Sequence, residues 1–310
     1  MKGLQLCRRY YAEFGAPMLA AQFPEVLAHV AVGLLGPGSE CLGFDDELSR
    51  DHDFEPGFCI ILPGEDIIDR RTEFALSRAY AKLPREFLGF ARSPLSPVGG
   101  NRHGPIRREE LLVRTTGTPD GALSLRDWLQ LPEQSLLELT GGELWQDGDG
   151  VLSSLRTALS RPPEDVRRKK LAGELLLMGQ SGQYNHPRCT ARKDAGAAAL
   201  AAAEFAKSAL HAAHLLEGRY LPYYKWSFRS LRILPRLSSL SEPLEALLCG
   251  GMDADGRQAL IESVCESIIS ALRTDGLSAR PERECEAHAY AVNDGIRDAN
   301  LRTSHILAGV

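Results

Sequence analysis

No stretch of this 310-residue chain approaches the roughly 20 consecutive apolar residues needed to cross a bilayer, and the opening MKGLQLCRRYYAEF lacks the apolar centre of a secretory signal. Those two absences point to the cytoplasm and away from a membrane. An excess of positive charge is also missing: 36 Lys and Arg stand against 41 Asp and Glu, for a net charge of -5. That balance argues against a surface dedicated to sequence-independent nucleic-acid binding, although a narrow basic groove is compatible with it. The cysteines at 7, 41, 59, 189, 249, 265 and 285 form no CxxC pair and no metal-ligand spacing, so they read as free thiols of a reducing compartment. Repeats of fixed period and heptad runs are absent too, which sets aside solenoids and coiled coils.

What is present is the composition of an ordinary globular protein, 44% hydrophobic and 25% charged, long enough for two modest cores. The character changes near residue 150, which predicts domains over 1–150 and 151–310. In the first half, apolar runs at 29–35 (HVAVGLL) and 58–62 (FCIIL) read as buried strands, and 65–82 reads as a helix ending near Pro84. Residues 89–106 hold three Pro and four Gly and read as loop or short edge strand. Two short helices follow, separated at Pro132, and Gly141 and Gly142 stop the second before a last strand. This is α/β grammar. The second half predicts an all-α helical bundle, with Asp194 capping an Ala-rich helix that Gly218 ends.

One stretch carries chemistry. In GSECLGFDDELSRDHDF (38–54) the acids Glu40, Asp45, Asp46, Glu47, Asp51 and Asp53 precede an apolar strand. The turn Gly36-Pro37-Gly38-Ser39 follows a buried strand, so backbone N–H groups and the Ser39 hydroxyl are available to hold a phosphate as a next helix begins. Twelve residues after Ser39 come Asp51 and Asp53, which period-two alternation puts on one face with His52 opposite. Two carboxylates so close repel one another unless a divalent cation joins them, and oxygen ligands suit Mg²⁺.

The Gly-Ser turn followed after about a dozen residues by DxD resembles the nucleotidyltransferase superfamily, which includes DNA polymerase beta and the aminoglycoside nucleotidyltransferases. Gly38, Ser39, Asp51 and Asp53 match that pattern residue by residue. Together with GQYNHPRCTARKD and YLPYYKWSFRSLRILP, the stretch is similar to a bacterial branch usually described as a domain of unknown function. The resemblance implies a mixed α/β catalytic domain with a small mixed sheet, a helical C-terminal domain, and Mg²⁺-dependent (or Mn²⁺-dependent) transfer of a nucleotide from a nucleoside triphosphate to an unspecified acceptor. In that reading Asp51 and Asp53 hold metal, and Ser39 and the Gly38 amide grip the triphosphate; the third carboxylate of the superfamily has no clear match here, with Glu143 favoured over Asp147, Glu109 and Glu110. Lys225 and Arg229, four residues apart on one helical face, suit the β- and γ-phosphates. Tyr184, Asn185, Arg188 and Arg192 suit the acceptor side of an interdomain cleft. The acceptor and the oligomeric state are not specified.

Plainer readings accompany each of these. Asp45, Asp46 and Glu47 fit a solvated helix end, His52 a packed strand residue, and Tyr223, Tyr224 and Trp226 packing groups. His211 and His214 sit on the Ala-rich helix with no acid near them in sequence, so a metal site there is not expected. Two alternatives in function remain: a sugar-nucleotide glycosyltransferase, which also uses DxD, and a nucleotide-binding regulator without turnover.

Overall fold

The structure, a computed structural model, describes residues 1–50, 54–95 and 101–310, with Arg50 described by its backbone alone. The chain divides into two compact units, residues 1–123 with 131–160, and residues 124–130 with 161–310.

The first unit opens on helix α1 (Gly3–Tyr10), which runs through a π-helical segment (Tyr11–Gly15) into α2 (Ala16–Gln22). Pro17 lies at the start of α2, where a missing N–H removes little. Strands β1 (Ala31–Leu34) and β2 (Cys59–Leu62) are buried along their whole length, as continuous apolar runs require, and pair antiparallel with Val32 opposite Ile60. Helix α3 (Arg70–Ala81) starts later than the apolar spacing suggests, because Asp69 caps it: the Thr72 amide donates to Asp69 Oδ1 at 2.8 Å. The residues before it turn instead, with the amides of Ile67 and Ile68 both donating to the Gly64 carbonyl.

A short hairpin, β3 (Glu86–Phe87) and β4 (Phe90–Ala91), leads to β5 (Gly104–Arg107), which joins the sheet parallel to β2 with Ile106 opposite Ile61. The Pro- and Gly-rich stretch thus ends in an edge strand. Then come α4 (Arg108–Thr116), α5 (Leu125–Gln130), α6 (Glu133–Thr140) and β6 (Glu143–Asp147). The sheet is mixed, in the order β5-β2-β1-β6. Its core holds Tyr10, Phe58 and Tyr80, all fully buried, with the Phe58 and Tyr80 rings edge to face at 4.9 Å. Arg107 ties the strand ends down: it donates to Glu73 Oε2 (2.7 and 3.0 Å) and to the carbonyls of Pro63 (2.8 Å) and Ile68 (2.7 Å).

Composition turns helical at residue 150, but helix α7 (Val151–Ala158) packs with the first unit. Leu152 and Leu159 are buried there, and Asp147 Oδ2 accepts the Ser153 amide at 2.7 Å. Helix α5, in contrast, packs against the second unit's α8 (Glu164–Met178).

The rest of the second unit is helical: a π-helical segment (Gly179–Asn185), α9 (His186–Ala191), α10 (Ala195–Leu216), α11 (Tyr224–Leu231), α12 (Ser241–Cys249), α13 (Ala254–Thr274), α14 (Cys285–Asp294) and α15 (Ala299–Thr303). Helix α10 is its axis. Asp194 caps it through the Ala197 amide (3.0 Å), and Ala202, Ala206, Ala209 and Ala213 are buried on its inner side, where small side chains let neighbouring helices approach. Among the described residues no helix is long and apolar enough to cross a membrane.

Candidate phosphate-binding site

Strand β1 delivers the chain into the turn at Gly36–Ser39, and two glycines shape it. Gly36 has φ +134°, a conformation that side chains disfavour. At Gly38 a β-carbon would collide with the Glu40 carboxylate and the Arg102 guanidinium. The loop then folds on itself: the amides of Leu42 (3.2 Å) and Phe44 (2.8 Å) both donate to the Ser39 carbonyl, and Cys41 donates to Gly38 (3.0 Å). The helix expected after Ser39 is therefore not there. Residues 38–44 are successive turns, and the next helical piece is a single 3₁₀ turn at Leu48–Arg50.

The reason lies in the acids. Asp45 is buried rather than solvated: its Oδ2 accepts the Gly3 amide at 2.7 Å, and Lys2 pairs with it, so it caps α1 instead of starting a helix of its own. Asp46 holds the 3₁₀ turn through the amides of Leu48 (3.1 Å) and Ser49 (3.2 Å). Glu40, also buried, is paired with Arg102 directly beside Gly38. What is left at the turn is donor chemistry. Among the described residues nothing accepts from the Gly38 amide, the Ser39 amide or the Ser39 hydroxyl, and both residues are partly open to solvent.

Asp51, His52 and Asp53 lie outside the described residues. Glu143 begins β6, whose preceding residue Gly142 donates to the Cys41 carbonyl at 2.7 Å, so the strand is tied to the turn loop. Its half-buried carboxylate accepts from Trp145 Nε1 (3.1 Å) and stands 3.7 Å from the Arg8 guanidinium. Among the described residues no three His, Cys, Asp or Glu gather as a metal would need. The cysteines near the turn are not nucleophiles: burial pushes Cys7 up to about 12 and Cys59 up to about 11, so both stay thiols.

Sequence reasoning missed a group next to this turn. His103 is buried, with Nδ1 3.2 Å from Glu55 Oε1. Burial pushes the Glu55 carboxyl up, but the contacts with His103 and the Ser93 amide outweigh it and hold it at about 2. Both residues line a cavity of about 180 Å³ together with Arg92 and Arg102. Only Glu55 carries a sequence signal, as the third member of the alternation Asp51, Asp53, Glu55.

Comparison with known proteins adds three findings. Residues 128–227 match the model of a domain of unknown function (DUF4037). The chain is also similar to a crystal structure of a nucleotidyltransferase-like protein from Exiguobacterium sibiricum 255-15, at 12% identity and a TM-score of 0.37, over 94% of this chain and 79% of that one. No curated protein matches. The family match spans parts of both units, and a TM-score of that size adds no weight of its own, so the chemistry rests on this chain's residues.

In the second unit the structure separates the two groups of candidate residues. Tyr184, Asn185, Arg188 and Arg192 are exposed around α9, with the Arg188 guanidinium 4.6 Å over the Tyr184 ring. Lys225 and Arg229 are on α11 and flank the Trp226 ring at 5.0 and 5.6 Å. Helix α9 meets α10 near Ala198, through a cavity shared by His186, Thr190 and Ala198, whereas α11 meets it at His214, bonded to Ser230 at 2.8 Å. Sixteen residues of helix, about 24 Å, lie between those points.

One sequence inference needs correcting: His211 does have an acid beside it. Glu174, buried on α8, approaches its Nδ1 at 2.6 Å, a contact across 37 residues of chain that no local pattern announces. His214 uses both ring nitrogens within the protein, on the Leu210 carbonyl (2.7 Å) and the Ser230 hydroxyl.

Proposed function

We propose that this chain is a nucleotidyltransferase that moves a nucleoside monophosphate from an NTP to a hydroxyl acceptor and releases pyrophosphate. The observation that carries the reading is the turn at Gly38–Ser39: amides and a hydroxyl that have no acceptor among the described residues, at the end of a buried strand, beside the Glu40–Arg102 pair and twelve residues ahead of the paired acids. Donors of this kind match the oxygens of a triphosphate. Ser39 Oγ and the Gly38 and Ser39 amides would donate to non-bridging phosphate oxygens and orient the α-phosphate for attack.

The carboxylates of Asp51 and Asp53 are hard oxygen donors of the kind that hold Mg²⁺ or Mn²⁺, which supplies charge neutralisation on the phosphate oxygens when bound. Glu143 is assigned as the third carboxylate, released from Trp145 and Arg8 when the site is filled. On the second unit Lys225 and Arg229 are assigned to the β- and γ-phosphates and to stabilising the pyrophosphate as it leaves. Tyr184, Asn185, Arg188 and Arg192 are assigned to the acceptor.

Titration of each of the four NTPs, with and without Mg²⁺, into the wild type and into Asp51→Asn/Asp53→Asn tests this, followed by a pyrophosphate-release assay. Metal-dependent binding lost in the double variant is the expected result; a folded wild type that binds none of the four refutes it. A nucleotide-binding protein without turnover is the second reading, favoured by the engagement of Glu143 with Trp145 and Arg8. It predicts binding with no pyrophosphate released. Release of UDP from UDP-sugars in place of pyrophosphate from NTPs marks a glycosyltransferase instead.

A further inference from the structure

The cavity beside the turn has no part in the function proposed above, and its unsatisfied groups are all nitrogens. Arg92, buried, donates through Nη2 to the carbonyls of Tyr80 (3.3 Å), Ala81 (3.4 Å) and Leu83 (3.1 Å), yet its buried Nε has no partner among the described residues. Both His103 ring nitrogens are buried and make no hydrogen bond among the described residues, although Nδ1 lies 3.2 Å from Glu55 Oε1, within ion-pair distance. The Glu55 carboxylate is already engaged by the Ser93 amide and by His103. A buried donor left without an acceptor destabilises the fold, and a ligand bringing acceptor oxygens would relieve that cost.

The chemistry of that ligand follows by matching. A neutral polyol carries protons that need acceptors, and the one carboxylate lining the cavity is in use. A phosphate-class oxyanion brings an excess of acceptor oxygens over protons, and negative charge with them. The Arg92 guanidinium matches its charge, and His103, when it carries a proton on each ring nitrogen, offers Nε2 to the ligand while Nδ1 lies 3.2 Å from the Glu55 carboxylate. The volume of about 180 Å³ far exceeds the roughly 10–15 Å³ that admits one water, and leaves room for a tetrahedral anion. Arg102 lines the same cavity and, through Glu40, connects its wall to the Gly38 turn.

We propose that this cavity is an oxyanion site of its own, taking a phosphate-class group on Arg92 and His103, distinct from the amides and hydroxyl of Gly38–Ser39. The group arrives as the free ion or as the phosphoryl end of a small phosphomonoester.

The test uses the full chain with isotope-labelled histidine, without nucleotide or divalent cation, so that its outcome is independent of nucleotidyl transfer. Inorganic phosphate and glycerol phosphate are titrated separately while the imidazole signals are followed by NMR. The expected result is a saturable shift of the His103 signals, the tighter of the two ligands identifying the free ion or the monoester, with binding at least about tenfold weaker in His103→Gln by calorimetry. Where that variant does not fold, the wild-type imidazole shifts decide alone. Saturation that leaves His103 unmoved, or binding of neither ligand at about 10 mM, overturns the proposal.

Discussion

Glu55 makes a pH-dependent contribution to stability whose sign and size can be worked out. Its carboxyl is held at about 2 in the folded protein against an ordinary value of 4.5. A group whose pKa is depressed on folding stabilises fully above the unfolded value and loses that contribution as pH falls through the folded one. The window is therefore pH 4.5 down to about 2. The difference of 2.5 pKa units corresponds to about 3.4 kcal/mol at 1.36 kcal/mol per unit, which solvent screening on the open side of a half-buried carboxylate reduces to about 1–2 kcal/mol.

The assay is urea denaturation in a Trp128→Phe/Trp226→Phe background, where the remaining Trp145, stacked on Tyr11 at 5.3 Å, reports the first unit. Glu55→Gln should be less stable than the parent by about 1–2 kcal/mol at pH 6, and the gap should close towards pH 2. Other carboxylates titrate in the same range, so the difference between the two proteins is the quantity that matters. A gap that is absent at pH 6, or that stays constant down to pH 2, refutes the reasoning.

Three further outcomes are expected. Glu73→Ala leaves the Arg107 guanidinium buried without its carboxylate and should destabilise the first unit by about 3 kcal/mol, read as a lowered urea midpoint with unchanged slope; an unaltered midpoint contradicts it. Phe205→Ala removes a fully buried ring from the α10 core and should cost the second unit about 3–5 kcal/mol, checked by thermal unfolding. Lys225→Ala, at an exposed position, should leave the melting temperature alone while weakening NTP binding about tenfold, and a titration showing wild-type affinity removes Lys225 from the phosphate site.

Local signals were legible and long-range pairings were not. The apolar runs around Val32 and Ile60, the Asp194 cap and the Gly141-Gly142 stop act within a few residues, and each appears in the structure where the sequence puts it, with ends trimmed by caps such as Asp69. Asp45 was misread as solvated because its partner, the Gly3 amide, is 42 residues away. Arg102 joins Glu40 across 62 residues, and His103, just before β5, reaches Glu55 in the segment that leads into β2. Such pairs leave no periodicity, since only the closed sheet brings them together. At the candidate site the sequence supplied the turn and the paired acids, while the buried ion pairs behind the turn came only from the fold.

The assignment of α5 to the second unit has a consequence for handling the protein. The polypeptide leaves the first unit after residue 123, returns at 131 and leaves again after 160, so neither unit is one continuous segment. A single cut between residues 123 and 161, made to part the two units, separates either α5 from the unit it packs in or some of α6, β6 and α7 from theirs. During synthesis the β1 edge stays uncovered until residue 147 has left the ribosome, because β6 is the strand that pairs with it. Dissecting this protein into working halves therefore calls for a rearranged gene, with α5 fused to α8 and a short bridge from 123 to 131, rather than a stop codon.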